Sequence, residues 1–569
     1  MEQHKVTDAF LDFIDAHRTY DTLPPEVVQQ TKVMLFDAIG NAVGGLASDK
    51  GKVGVEMAKK LGGPGEATVY GTDRKVSMAA AALANGELQN GLDYDPVPHV
   101  PPVVIPAVLA VAEGVHATGE QLITACAVGS EIASRLSAVL MRAMRPETQR
   151  GGQGMGQRPG MGQGMGQRPG MGQGMGQRPG MGQGMGQRPG MGQGMGQRPG
   201  MGQGMGQRPG MGQGMGQRPG MGQGMGAMAM GAPGAMRTAA QPGTGGGRQR
   251  PDPASQIYGN SNEHIIGAAV ACGMLLGLGR DRMAQCIGIS AALCTLPIAR
   301  DWGTARPKSM IKYFPASWLA HTAVCAAQLA ESGYTANPWT LDSDYGFPAA
   351  YCRVPNVWDP DKVIAGLGET WQWLRIGVKP YPCCRYLHSN LDNLYALLEQ
   401  YHFKPEDIDE IRCYSAKFMD VEGQMNVQTQ VDAQFSTPYT IALAVFGYAP
   451  GPAWQSKEAM NDPAIKAFMP KVKMYTAEEH YTYRQQDTKT WYARMEIDAH
   501  GQTYTNEVMY SKGTNLDGYR ITQEELDRRF ENNASIALSA EKIHKTMDML
   551  KTLETHADLD QLYSSVRPS

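Results

Sequence analysis

No stretch of about 18 uncharged apolar residues occurs in the 569-residue chain, so no membrane-spanning helix is expected. The first residues, MEQHKVTDAF, contain neither a basic region nor an apolar run. An export signal is therefore not expected, and a reducing, cytoplasmic setting is the simple reading of nine scattered cysteines. No Cys-x-x-Cys is present, which removes the usual spacing of an iron–sulfur cluster. His-Glu-x-x-His, a P-loop and a Gly-rich strand-to-helix turn are missing as well, so neither zinc nor a nucleotide cofactor is indicated. Any chemistry is expected to be metal-independent acid–base work by side chains. The net charge of −3 gives no global attraction to nucleic acid or to a membrane surface.

Acidic and aromatic residues are both missing from one segment. From Gly151 to about Gly226 the decapeptide MGQGMGQRPG recurs, a Gly/Ala/Pro-rich tail follows, and between Gly151 and Arg250 there is arginine but no Asp or Glu. Glycine is costly to order and the proline of each repeat breaks helices. Methionines flanked by glycine cannot build the shared core that a solenoid repeat needs. Disorder is the expected state. A repeat expansion in a tolerant surface loop is the favoured reading. An Arg/Gly tether for RNA or another anionic surface is the alternative, and it is the one route by which nucleic acid would become a partner.

Outside this segment the chain reads as helices first and a mixed region later. VVQQTKVMLFDAIGNAVGGLA, VIPAVLAVAEGVHATG, QLITACAVGSEIASRLSAVLMRAM and EHIIGAAVACGMLLGLG carry apolar residues at helical spacing. Their Ala and Gly content predicts close-packed, buried helices. SWLAHTAVCAAQLAESG is another, with Gly333 as a C-terminal stop. DEIRCYSAKF and TWYARMEIDAHGQTYTNEVMY alternate as strands do, the second about a His-Gly turn. Thr522 with Glu525 has capping-box spacing ahead of a final helical stretch. The fold class is mainly α, with a smaller α+β region roughly between Lys379 and Tyr519.

Several segments, in this order, resemble the MmgE/PrpD family, whose members include 2-methylcitrate dehydratase, cis-aconitate decarboxylase and iminodisuccinate epimerase. They are LPPEVVQQTKVMLFDAIGNAVGG, LGGPGEATVYGT, AAALANGELQNGLDYD, HVPPVVIPAVLAVAEG, GAAVACGMLLGLGRDRMAQCIGI, IKYFPASWLAHTAVCAAQLAESGYT, KPYPCCRYLHSNLD and FSTPYTIALAVFG. The resemblance implies a large all-helical domain plus an α+β lid domain, assembled as a homodimer. Laid on this chain, the helical domain takes residues 1–145 and 256–375, and the repeat insert takes 146–255. The lid takes 376–519, and residues 520–569 return to the helical domain.

The resemblance also implies a small di- or tricarboxylate substrate, reacting at a carbon next to a carboxylate. Such chemistry needs cations to offset developing negative charge and groups to move protons. The residues it points to as catalytic are Asp93, His99, Tyr258 and Tyr439. Tyr258 stands where the family has a histidine, and His264, six residues on, is a candidate to compensate. Asp95 is a second carboxylate in LDYDPVPH, where Pro96 and Val97 replace the family's Asp-Thr and the loop is shorter. For substrate binding the resemblance points to Lys312, Lys379, Arg385 and His388. Phe314 replaces a family histidine beside Lys312, and Lys308 lies nearby. Lys379 precedes a Pro-Tyr-Pro segment whose restricted backbone can hold a side chain in place. The expected function is a dehydratase-like lyase. An epimerase or decarboxylase on a similar substrate is the alternative, and a non-catalytic scaffold carrying an Arg/Gly tether is the second.

Overall fold

A computed structural model describes residues 5–143, 262–295, 302, 305–312, 314–351, 358–416 and 423–568. The decapeptide repeat and Tyr258 lie outside the described residues.

The chain opens with helices α1 (Lys5–Ala16), α2 (Pro25–Gly44), α3 (Asp49–Leu61), α4 (Met78–Gly91), α5 (Pro101–Gly114) and α6 (Gly119–Ala143). Helices α7 (His264–Leu275), α8 (Arg280–Ala292) and α9 (Ala316–Glu331) follow the repeat in sequence. Small residues let these helices approach closely. A Cβ on Gly129 of α6 would lie 2.4 Å from the Gly267 carbonyl of α7, and one on Gly267 would lie 2.1 Å from the Gly129 carbonyl. A Cβ on Gly86 of α4 would come within 2.9 Å of the Ser317 backbone in α9. Helix α4 is buried almost all round, which is why it carries an alanine run rather than an amphipathic stripe. Gly333, with φ +88°, closes α9 one residue past its cap; the Tyr334 amide donates to the Leu329 carbonyl at 2.9 Å.

Residues 119–140 of α6 are long and apolar enough to cross a membrane, although Glu131 and Arg135 interrupt them. This helix is instead buried in the protein core, its Arg135 donating to Glu131 at 2.6 Å and to four backbone carbonyls of residues 363–370.

The later region carries α10 (His388–Tyr401), α11 (Thr437–Val445) and a four-stranded sheet. Its strands are β1 (Ile408–Ser415), β2 (Val472–Thr476), β3 (Ala493–Ala499) and β4 (Gln502–Val508), in spatial order β2-β1-β3-β4. β1 and β2 are parallel, with Ile411 opposite Val472; the other pairings are antiparallel. His500 (φ +53°) and Gly501 (φ +73°) form the β3–β4 turn, the double left-handed geometry that suits a tight hairpin. Helix α10 covers one face of the sheet. Apolar side chains form a large cluster, drawn from residues 6–378 and 526–566, and a smaller one drawn from residues 381–499.

Helices α12 (Gln523–Ala534) and α13 (Ala540–Lys551) return to α2. Thr522 and Glu525 make the reciprocal capping box at the start of α12. Phe530 of α12 packs on Phe36 with ring centres 4.8 Å apart, over Gly40, where a Cβ would strike the Phe530 ring at 2.8 Å. This return buries Arg529 against Asp37, Tyr94 and the Lys379 backbone.

Candidate functional site

The C-terminal end of α4 turns sharply into the loop 92–99. Asp93 has φ +54°, and its amide closes the turn on the Asn90 carbonyl at 3.2 Å. The loop is tied to the segment before Lys379 by a two-way bridge: Val97 and Gly377 exchange amide–carbonyl hydrogen bonds, each 3.1 Å. Lys312 approaches from the other side, also at a left-handed backbone position (φ +53°). Five described non-glycine residues have positive φ, and two of them, Asp93 and Lys312, form one ion pair. Strain concentrated in this way marks positions held for more than packing.

Asp93, Lys312 and Lys379 are all buried. Both ammonium groups converge on the same carboxylate oxygen, Lys312 at 3.0 Å and Lys379 at 3.1 Å. Lys379 also donates to the Asp93 carbonyl at 2.8 Å, and Lys312 to the Asn90 carbonyl at 3.3 Å. Two residues on, Asp95 accepts from the Asn90 side chain at 3.0 Å and faces His99 Nδ1 at 2.5 Å. Asp95 and His99 stand four residues apart in this loop, within reach of each other. The His99 ring packs on Phe314, ring centres 5.6 Å apart.

Burial works to raise the Asp93 carboxyl, yet Lys312 and Lys379 together hold it below the usual carboxylate range. Asp95 is held down likewise, against burial, by His99 and then the two lysines. The lysines diverge, although they sit at similar distances from Asp93. Burial depresses Lys312, which also faces the positive Lys50, whereas for Lys379 the attraction of Asp93 and Asp95 overcomes burial and raises it.

His264 lies directly behind. Its Nδ1 donates to the His99 carbonyl at 3.1 Å, and burial lowers its pKa to about 3, so it is a neutral brace for the loop. Arg529, from α12, clamps the other side. It pairs with Asp37 at 2.9 Å and stacks 3.6 Å over the Tyr94 ring. It also donates to the Tyr94 carbonyl at 2.6 Å and to the Lys379 carbonyl. One guanidinium thereby fixes both backbone segments that present Asp93 and Lys379. No short motif announces Arg529, which the chain supplies 150 residues after Lys379.

The remaining sequence candidates make their hydrogen bonds elsewhere, although His388 still feels the charges of Lys379 and Asp93. Arg385 donates to Lys512 O (2.7 Å), Ser511 O (3.3 Å), Thr514 Oγ1 (2.8 Å) and His388 Nδ1 (3.2 Å). His388 Nε2 reaches the Cys383 carbonyl at 3.1 Å, and burial, then Arg385, depresses the ring's pKa. These two residues tie 383–388 to 511–514. Tyr439 is buried on α11 and donates to the Trp454 carbonyl at 2.8 Å, while also lining a neighbouring cavity of about 990 Å³. That cavity stops short of Asp93 and His99. Its inner wall is Lys50 and Gly91, and Lys50 donates to Asn90 Oδ1 at 2.6 Å. Lys50 and Asn90 were not among the candidates read from the sequence; the one usable signal was that Asn90 lies one turn before Asp93.

Among the described residues no group of three His, Cys, Asp or Glu side chains is arranged to hold a metal ion. The arrangement can fix an anionic group between two ammonium ions and move a proton at an imidazole steered by a carboxylate.

Comparison with known proteins supplies the family. One similar protein is the cis-aconitate decarboxylase-like protein oryM of Aspergillus oryzae, 24% identical over 315 residues, which cover 52% of this chain and 62% of the relative. Another is a cis-aconitate decarboxylase of Aspergillus terreus, 31% identical over 139 residues, covering 23% of this chain and 27% of the relative. The matched segments thus span less than two thirds of either curated relative. Residues 9–150 and 257–357 match the MmgE/PrpD N-terminal domain, and residues 381–555 match the MmgE/PrpD C-terminal domain. With both domains matched in order around the repeat, the chain belongs to the MmgE/PrpD family.

Proposed function

We propose that this chain is a lyase acting on a small di- or tricarboxylate, by proton transfer at a carbon next to a carboxylate. The observation that carries the reading is the convergence of Lys312 and Lys379 on a single carboxylate, with His99 and its partner Asp95 alongside. A substrate carboxylate offers the lysines the same charge and shape as Asp93. Fixed ammonium groups in a water-poor site stabilise negative charge that grows during reaction far better than solvent does. Asp95 receives the Nδ1 proton of His99 and so sets which ring nitrogen serves as base. In a dehydration, the imidazole takes the proton next to the carboxylate, the C–H electron pair becomes the C=C bond, and the hydroxyl leaves as water with the proton that the imidazolium gives back.

Decarboxylation is the second reading, favoured by the cis-aconitate decarboxylase names of the two relatives. There a C–C bond breaks, CO2 departs, and the electron pair left on carbon takes a proton from the His99 imidazolium. The two readings use the same groups in opposite protonation states. The full-length protein, incubated with citrate, 2-methylcitrate and cis-aconitate, separates them by product. NMR detection of a new unsaturated acid with all carboxylates retained is the dehydratase outcome, and release of CO2 is the decarboxylase outcome. Failure of all three to react or to raise the melting temperature would discard both in favour of the scaffold.

A further inference from the structure

Asn90, the penultimate residue of α4, is buried and joins α3 to the loop that carries His99. Its Oδ1 accepts from Lys50 Nζ of α3 at 2.6 Å, and its Nδ2 donates to Asp95 Oδ1 at 3.0 Å. Asp95 presents its other oxygen, Oδ2, to His99 Nδ1 at 2.5 Å. A hydrogen-bonded chain therefore runs from Lys50 through Asn90 and Asp95 to the imidazole. The polarity of this chain is forced. An ammonium only donates and a carboxylate only accepts, so the Asn90 amide must turn its oxygen to Lys50 and its NH2 to Asp95. The flipped amide would set donor against donor at one end and acceptor against acceptor at the other.

Lys50 stands where helix stability alone would not put it. It lies in the first turn of α3, whose dipole opposes a cation there, it is buried, and it faces the positive Lys312. Glu87, 3.2 Å away, offsets part of this. Small residues seat α3 closely on α4. A Cβ on Gly54 would lie 2.6 Å from Glu87 Cβ, and one on Gly91 would lie 2.2 Å from Ser48 Oγ. Ser48 in turn caps α3 by accepting from the Gly51 amide at 2.9 Å. The helix start that carries Lys50 is thus fixed against the helix end that carries Asn90.

We propose that Asn90 is a positioning residue for the imidazole of His99 and that Lys50 sets its orientation. The ammonium fixes the Asn90 amide, the amide fixes the Asp95 carboxylate, and the carboxylate fixes the ring tautomer of His99. This rests on the reading of His99 as the proton-transfer group and extends the device that serves it to two residues outside the acid–base pair.

The test is 15N NMR of the full-length protein labelled on histidine, with His99→Ala identifying the His99 resonances. Lys50→Met combined with Glu87→Gln removes the ammonium without leaving a buried carboxylate unpaired, and Asn90→Leu is a second, independent break in the chain. In both, the Nδ1 resonance of His99 is expected to move toward the unprotonated, pyridine-type end. Lys50→Arg, which restores an obligate donor, should keep the wild-type spectrum. On whichever carboxylate is turned over, kcat should fall by roughly tenfold in the two broken variants, short of the ~10²–10⁴-fold for removing a proton-transfer group, with KM nearly unchanged. An unmoved Nδ1 resonance in either variant that melts as a folded protein overturns the proposal. A shift in Lys50→Arg equal to that in the Lys50→Met variant makes Lys50 a packing residue and overturns it as well. The ring spectrum decides even if no carboxylate is turned over, so failure of the reaction reading and failure of this inference are told apart.

Discussion

The Asp93 cluster and the charged face of the sheet carry the same groups, carboxylates paired with cations, in opposite surroundings. On the sheet, Arg412 of β1 reaches Glu496 at 2.8 Å and Asp498 at 2.5 Å on β3, and Glu410 at 3.1 Å on its own strand. These side chains remain partly exposed, and Asp498 is held down to about 2 first by its hydrogen bonds from Arg412. Cross-strand register brings them together, and water shares their charge. Around Asp93 the same pairing occurs out of water, on left-handed backbone, and two cations compete for one carboxylate oxygen. Exposed pairs of this kind contribute little to stability, whereas a buried pair is expensive to break. A buried cluster of two lysines and two aspartates, with one aspartate and one lysine on left-handed backbone, is an arrangement that stability alone does not select.

The largest expected effect separates the two regions. Lys379→Met should lower kcat/KM on the identified carboxylate by at least about 100-fold and cost about 3 kcal/mol in urea unfolding. Adding Asp93→Asn should return part of that stability, because the buried charge is removed, without returning turnover. Arg412→Met should cost about 1 kcal/mol or less and leave turnover unchanged. Loss of turnover in Arg412→Met, or its survival in Lys379→Met, would dissolve the distinction.

Next is the His99–Asp95 pair. His99→Ala should reduce kcat by roughly 10²–10⁴-fold with a smaller change in KM. Asp95→Asn should act in the same direction but less, because Asn accepts from Nδ1 without the charge. The 15N chemical shifts of the His99 ring should show a changed tautomer balance in Asp95→Asn. An unchanged ring spectrum would make Asp95 a structural residue only.

A third, smaller effect is the pH dependence of stability. Burial raises the Asp37 carboxyl to about 6, against the opposing pull of Arg529. The folded state then holds this proton more tightly than the unfolded chain does. Asp37 therefore favours folding below about pH 4, and that contribution is lost as pH rises through 6, on the order of 2–3 kcal/mol. Asp93 has the opposite sign: its lowered folded-state pKa favours folding above about pH 4 and is lost below it. Denaturation midpoints of Asp37→Asn between pH 4 and 7 should lack the wild-type decline. A decline of equal slope in the variant would assign it to another group.

The smallest effect concerns the repeat. Replacing residues 151–250 with a short Gly/Ser linker should change stability by less than about 1 kcal/mol, since loop closure depends weakly on length. A loss above about 2 kcal/mol would make the repeat part of the fold.

Much of this was legible in the residues. The alanine-rich α4, the all-apolar α7, the His500–Gly501 hairpin and the Thr522–Glu525 cap follow from local rules of periodicity and capping. Asp93, His99, Lys312 and Lys379 could be picked because they sit in family-like segments, and the structure brings these four together. Arg385 and His388 sit in equally family-like sequence, yet the structure engages them with residues 511–514 and with Cys383, which no local pattern announces. The long apolar stretch in α6 carries Glu131 and Arg135, and the fold satisfies both internally.

The sequence by itself determined the elements, the family and the types of group available, because helix and strand periodicity, capping and glycine placement are short-range properties of consecutive residues. Only the tertiary structure decided the charges. Lys312, more than 200 residues after Asp93, and Lys379 share one oxygen of that aspartate, and Arg529 locks both segments from a helix further still along the chain. Such pairing depends on which segments the packed core brings within hydrogen-bond distance, and on the loss of water there, which turns ordinary ion pairs into a strained and strongly coupled site.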